Sequence, residues 1–265
     1  MSTGLFSRLF ARTARALPSQ CVVCTGWCYD TVCSACVARF APVRARCLTC
    51  ALALPGAAKQ CGVCLQHGSA LDACHAAVDY AYPWDGVLAQ LKFNGQSRSG
   101  AVSGADPAVA RCLAAIMAQR SPITQALAQA DWAVPVPLAG LRLQERGFNQ
   151  ALQITKYLLA PGDLAKPAAR ALLRTDLLVR TRDTAAQVGL GRAERQLNML
   201  NAFAVEPAFV AQVQGARLVL VDDVTTTTST LSAAAAALRR AGAAHVTGVV
   251  FARTPGSAIA PAAFS

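Results

Sequence analysis

The sequence predicts an α/β fold, a parallel sheet with helices on both faces, preceded by a small four-cysteine metal domain carrying two sites. Three observations carry this. Four C-x2-C pairs crowd residues 21–64, apolar runs alternate with helical segments beyond residue 75, and a strand, loop, helix, strand succession fills residues 217–252. That succession is a βαβ unit, which closes right-handed and belongs to sheets covered on both sides.

With 265 residues, 54% of them hydrophobic and 15% charged, the chain can bury a substantial core, which excludes a disordered protein. No apolar run approaches the roughly 18 residues of a membrane span, so the expectation is a cytoplasmic protein with no transmembrane segment. Residues 1–20 carry Arg8, Arg12 and Arg15 and no acid, with Leu5, Phe6, Leu9 and Phe10 at helical spacing. They read as a basic, flexible tail, with a transit peptide or surface-binding helix as the alternative.

Residues 21–75 form the metal domain. The pairs are Cys21/Cys24, Cys33/Cys36, Cys47/Cys50 and Cys61/Cys64. Two thiolates three positions apart on a tight turn face one tetrahedral ion, and zinc needs two such turns, so four turns make two structural zinc sites. Sequential and interleaved pairings both satisfy the spacings. A redox dithiol has no use for four copies, and a disulfide framework belongs to secreted chains, of which the start of this one shows no sign. Cys28, Cys74 and Cys112 are left over, and His67 and His75 are spare ligand candidates outnumbered by eight thiolates.

Residues 76–265 form the α/β domain. Residues 76–82 and 87–93 lead in, 108–119 reads as a helix, and 132–138 is a short apolar run with two prolines. Gly147 and Asn149 open a helix through Leu159; residues 217–221 are a strand, 229–240 a helix closed by Gly242, and 246–252 another strand. Ligands of such sheets bind beyond the carboxyl ends of the strands.

At one such end the chain reads RLVLVDDVTTTTSTL, residues 217–231. Asp222 and Asp223 emerge from the apolar strand, and Thr225, Thr226, Thr227, Thr228, Ser229 and Thr230 lead into the helix. Amides at a helix start, the helix dipole and these hydroxyls make a site for a phosphate monoester. The two carboxylates repel phosphate and suit hydroxyl donors or a divalent cation. A ribose 5-phosphate with its diol on the acids is the simplest ligand that satisfies both. A Walker B reading fails because no Gly-Lys dipeptide exists to make a Walker A loop.

The formal charge is +11, and each zinc held by four thiolates carries a net −2, so two sites remove four units. Twenty-one of the 25 cations are Arg, whose planar fork suits phosphate, and this favours a nucleic acid or a phosphorylated small molecule; genomic base bias is the competing explanation.

Five segments in order resemble the ComF family of competence-associated proteins, a double zinc ribbon joined to a type I phosphoribosyltransferase-like domain. They are the cysteine turns; Tyr82 with LKF (residues 91–93) and Gly95; PVPL with RLQERGFNQA (residues 135–151); LLVRTRDTAAQVGLGRAERQLNMLNAF (residues 177–203); and LVLVDDVTTTTST, which is similar to the phosphoribosyl pyrophosphate (PRPP) motif. The resemblance implies that PRPP is bound with Mg2+ and that a phosphoribosyl group passes to an acceptor through an oxocarbenium-like transition state, with Asp222, Asp223 and Arg146 catalytic. It implies pyrophosphate contacts from Arg142, Arg146, Gly147 and Asn149. It also implies a flap or nucleic-acid surface bearing Arg180, Arg182, Thr184, Gln187, Arg192, Arg195 and Asn198. The family's setting is DNA uptake in natural transformation. The alternative is therefore a single-stranded DNA-binding competence protein, partnered with uptake proteins, whose PRPP site is non-catalytic or regulatory. One departure stands out: the family motif generally has Gly where this chain has Thr228, so a Cβ crowds the phosphate or resists a positive φ.

Overall fold

The computed structural model describes residues 18–92, 107–160, 171–181 and 202–256. It divides the chain into two compact units, residues 1–42 and 43–265.

In the smaller unit, β1 (Ser19–Gln20) pairs antiparallel with β2 (Trp27–Cys28), and helix α1 (Ser34–Phe40) follows. The turn between the strands closes on Cys21, whose carbonyl accepts from Thr25 N at 2.9 Å and whose amide donates to Gly26 O at 2.9 Å. Cys33 caps α1 by accepting from Cys36 N, so a thiol performs the duty usually given to Ser or Asp. Cys21, Val32, Cys36 and Ala41 make its small buried centre.

In the larger unit a short helix α2 (Gly62–Gln66) precedes β3 (Ala73–Asp79), and α3 (Trp84–Lys92), α4 (Pro107–Ala118) and α5 (Ser121–Gln129) lead to β4 (Trp132–Pro135). Two further helices, α6 (Gly140–Arg146) and α7 (Gln150–Leu159), then reach β5 (Leu172–Leu173). An antiparallel pair, β6 (Leu178–Arg180) with β7 (Phe203–Val205), and a single helical turn α8 (Val210–Val213) come before β8 (Arg217–Thr225), α9 (Ser229–Arg240) and β9 (His245–Arg253). The main sheet has the order β3-β9-β8-β4-β5, and every pair in it is parallel.

Strand residues alternate between faces. Cys74, Ala76, Val134, Leu218, Leu220, Val246 and Val250 turn to the face covered by α9, where Leu231, Ala234 and Leu238 meet them. Ala133, Val219, Val221, Val249 and Phe251 turn to the other, covered by α3, α4, α5 and α7; there Trp84 meets Phe251 edge to face at 5.4 Å, an arrangement worth about 1 kcal/mol beyond area burial. Gly248 lets α9 close on the sheet: a Cβ there would lie 3.3 Å from Leu231 Cδ1 and 3.2 Å from Cys74 Sγ.

The lead-in strand runs over 73–79 and the next helix over 84–92, against 76–82 and 87–93 from the sequence, and three boundaries near the acid pair differ as well. Strand β8 runs on to Thr225, because Val224 and Thr225 still pair with Ala252 and Arg253; both acids therefore belong to a hydrogen-bonded strand. Strand β4 stops at Pro135, while residues 136–139 lead into α6. Gly147 does not open α7. At φ 76° it closes α6, and α7 begins after Asn149. Among the described residues no helix is long and apolar enough to cross a membrane. Because the sheet is parallel, residues 80–83, 136–149, 226–228 and 254–256 all leave strands at its carboxyl edge.

Candidate phosphate site and metal centres

The eight paired cysteines gather sequentially. Cys21, Cys24, Cys33 and Cys36 form one group and Cys47, Cys50, Cys61 and Cys64 the other, with all ligand atoms of a group within 4.8 Å of one another. Sulfurs at 2.3 Å around a tetrahedral zinc lie about 3.8 Å apart. The Sγ distances of 3.8 Å for Cys24 and Cys33 and 3.7 Å for Cys50 and Cys61 fit that ion. Burial opposes ionisation of Cys21, but N–H groups of Cys24, Cys33 and Val23 outweigh it and bring this thiol down to about 6. Cys47 falls to about 7 in the same way, against burial and through the amides of Cys61, Cys50 and Thr49. Each group thus offers a ready thiolate, the form that binds metal. His67 and His75 join neither group.

The segment that carries the second group lies along edge strand β3 of the main sheet, from its amino end to its carboxyl end. Arg46 donates to Asp79 Oδ1 at 2.7 Å, at the end of β3, and to Ala51 O at 3.1 Å, just past the second ligand. Cys74 N donates to Leu48 O at 2.7 Å.

At the end of β8, Asp222 Oδ1 accepts from Asp223 N at 2.9 Å and Asp223 Oδ1 from Val224 N at 2.8 Å. Asp223 Oδ2, shielded from solvent, forms an ion pair with Lys92 Nζ at 2.8 Å, a close charge contact and not an aligned hydrogen bond. Burial, and after it the charge of Asp223, pushes the Asp222 carboxyl well above the ordinary range, while the Asp223 amide and Lys92 pull the other way. A carboxylate in that condition favours donors or a cation as its next partner.

The loop that follows keeps most of its donors free. Thr228 N donates to Thr225 Oγ1 at 3.0 Å, but among the described residues nothing accepts from the amides of Thr226, Thr227, Ser229 and Thr230. Thr227 Oγ1 and Ser229 Oγ share a hydrogen bond of 2.6 Å, and Thr226, Thr227 and Ser229 are exposed. Thr228 stands at φ 60°. The backbone therefore adopts the left-handed conformation that the motif asks of Gly, and a β-branched residue bears it at a cost of about 1–2 kcal/mol.

Arg142 is exposed and Arg146 donates to Gln150 Oε1 at 3.2 Å, both on α6 and not in an open strand-to-helix loop. The Asn149 side chain is engaged at both ends, donating to Val136 O at 3.0 Å and accepting from Leu152 N at 3.2 Å. It caps α7 and fastens it to the end of β4. Arg180 ends β6 with its guanidinium over the Phe203 ring at 5.3 Å. Arg182, Thr184, Gln187, Arg192, Arg195 and Asn198 lie outside the described residues.

No family model matches the chain. It is 33% identical to the DNA utilization protein YhgH of Escherichia coli (strain K12) over 220 residues, covering 81% of this chain and 87% of that one. The similarity to the same-named protein of Salmonella typhimurium is 34% over equal coverage, and to competence protein F of Haemophilus influenzae 27% over 74% of this chain and 79% of that one. The chain belongs to the ComF family. Solved structures similar to this ComF-family chain include the allosteric regulatory enzyme of purine biosynthesis, at 17% identity and a TM-score of 0.38, and the glutamine PRPP amidotransferase of B. subtilis, at 15% and 0.35. Each alignment covers 62% of this chain and 30% of the other.

Two residues beside the site escape a reading of sequence alone as functional groups. Lys92 is visible only as part of the LKF segment. Arg253 is a cation at the end of an apolar strand, 7% exposed.

Proposed function

We propose that this protein binds PRPP, or another ribose 5-phosphate, with Mg2+ at the carboxyl edge of the sheet, as a phosphoribosyltransferase-like member of a DNA utilization and competence system. The observation that carries the reading is the row of unpaired amides at residues 226, 227, 229 and 230, beginning three residues after a carboxylate pair. In this reading the 5′-phosphate accepts from those amides and from the hydroxyls of Thr226, Thr227, Ser229 and Thr230, while Thr225 and Thr228, whose hydroxyls bond within the loop, shape it. Asp222 and Asp223 accept from the ribose diol, with Lys92 offsetting the charge of the second acid. Arg142 and Arg146, with Gly147 and Asn149 ordering the backbone between α6 and α7, face the pyrophosphate. As the bond from the anomeric carbon to pyrophosphate breaks and an acceptor takes the sugar, the acids stabilise the positive charge on the ribose and Arg146 the negative charge on the departing pyrophosphate. The hard oxygen donors of the acids and ligand suit Mg2+, which when bound would neutralise the leaving group.

Calorimetric titration with PRPP in the presence and absence of Mg2+ tests this. Binding should require Mg2+ and disappear in Asp222→Asn with Asp223→Asn while the circular dichroism spectrum stays unchanged; binding retained by the double variant refutes the assignment.

A second reading, single-stranded DNA binding, draws on the smaller unit. Trp27 and Tyr29, two positions apart, are 72% and 71% exposed, and bases stack on such rings at about 1–3 kcal/mol each. Loss of single-strand affinity in Trp27→Ala with Tyr29→Ala, and a steep salt dependence in the parent protein, are the expected results.

A further inference from the structure

Arg253 ends β9 with its guanidinium buried, and its bonds go to main-chain carbonyls from three parts of the chain. Nε donates to Cys50 O at 2.9 Å, and one terminal nitrogen donates to Thr254 O at 2.6 Å and to Thr226 O. Cys50 is a member of the second four-cysteine group, and Thr226 is the first residue of the loop after β8. One planar side chain thus holds a metal knuckle and the threonine loop together.

Two physical consequences follow. The peptide joining Thr226 and Thr227 is trans and planar, so its C=O and N–H point in opposite directions. Drawing the Thr226 carbonyl toward Arg253 aims the Thr227 amide away from it, as one of the unpaired donors. Secondly, among the described residues this buried guanidinium faces neutral carbonyls and pairs with no carboxylate, so a nearby negative charge would stabilise it. The second cysteine group, with a net −2 when it holds zinc, supplies one next door.

We propose that Arg253 is a positioning residue that couples zinc occupancy of the second cysteine group to anion affinity at the threonine loop. Zinc fixes the Cys50 carbonyl, that carbonyl fixes the guanidinium, and the guanidinium fixes the peptide whose amide meets the phosphate. This rests on the phosphate reading of the loop given above. Coupling between two binding sites is reciprocal, so the ligand must tighten zinc by the same factor by which zinc tightens the ligand.

The test uses the full chain carrying Cys21→Ser and Cys24→Ser, so that metal binding reports the second group. Zinc is stripped with a selective chelator that is removed before Mg2+ and PRPP are added. Stripping should weaken PRPP about tenfold, and PRPP should raise zinc affinity about tenfold in competition with a chromophoric chelator. With cobalt in the second group, PRPP should shift the thiolate-to-cobalt absorption band. Arg253→Gln should weaken PRPP about tenfold with zinc bound, and should abolish both the zinc dependence and the cobalt shift. Arg253→Lys should not restore them, because one ammonium lacks the fork that spans Cys50 and Thr226. PRPP affinity independent of zinc, or full zinc dependence in Arg253→Gln, overturns the proposal. If the zinc-loaded parent binds no PRPP, the phosphate reading fails, and hydrogen exchange at residues 226–229 decides the link: stripping must accelerate it, and an unchanged rate sinks the coupling. Should Arg253→Gln not fold, reciprocity in the parent protein decides alone.

Discussion

Lys92 Nζ lies 2.8 Å from Asp223 Oδ2, joining the last turn of α3 to the acid pair at the end of β8. Asp223 is 8% exposed, so removing the lysine leaves a nearly buried carboxylate without its charge partner. Lys92→Met should cost about 2 kcal/mol in chemical denaturation, below the range for fully buried pairs because Lys92 is partly solvated. Adding Asp223→Asn should recover much of that loss, and strict additivity of the two substitutions would show that the pair contributes nothing.

Asp222 titrates above its usual range because burial, and after it Asp223, disfavours the charged form. A carboxyl raised in the folded state contributes stability that is complete below its unfolded value of about 3.9 and is lost as pH rises through the folded value. Without ligand, Asp222→Asn should therefore match the parent near pH 4 and exceed it increasingly toward neutrality. Denaturation curves of parent and variant measured side by side at a series of pH values provide the check, since zinc release at low pH affects both alike; a difference independent of pH contradicts the assignment.

Thr228 holds a left-handed backbone that costs a β-branched residue about 1–2 kcal/mol. Thr228→Gly relieves the strain but adds unfolded-state entropy, so the net gain in stability should be at most about 1 kcal/mol. Thr228→Ala keeps a Cβ and should give no comparable gain. PRPP affinity should rise in the glycine variant, since the Cβ beside the loop amides is gone; weaker binding would mean that the threonine hydroxyl contacts the ligand.

The two metal groups should differ in what they support. Cys21→Ser with Cys24→Ser should unfold residues 18–42 and leave the melting of the larger unit in place. Cys47→Ser with Cys50→Ser should lower that melting, because Arg46, Leu48 and Cys50 bond to β3 and β9. Calorimetry of both variants separates these outcomes.

How much of this was legible beforehand varies by residue. Helix α9 matches the expected 229–240 because Leu231, Ala234 and Leu238 repeat at helical spacing and Gly242 follows the end. Helix α6 was not legible: Leu141 and Leu143 are 60% and 44% exposed, it buries no residue, and so it leaves no apolar stripe to find. The sequence alone ends β8 at Val221 because polar residues usually end a strand, whereas pairing with β9 carries the strand past both acids. Sequential cysteine grouping is undecidable from sequence because the spacings satisfy sequential and interleaved pairing alike. Arg253 gave no signal because its partners are backbone carbonyls, and Cys50 lies 203 positions away.

Strand β8 carries both acids inside its pairing with β9, at the middle of the sheet. They ride on stiff framework, while residues 136–149 and 226–228 beside them lie outside the sheet. Exchanging residues 136–149 should thus leave the carboxylate pair in place, so that the proposed pyrophosphate and ribose contacts can be altered one at a time.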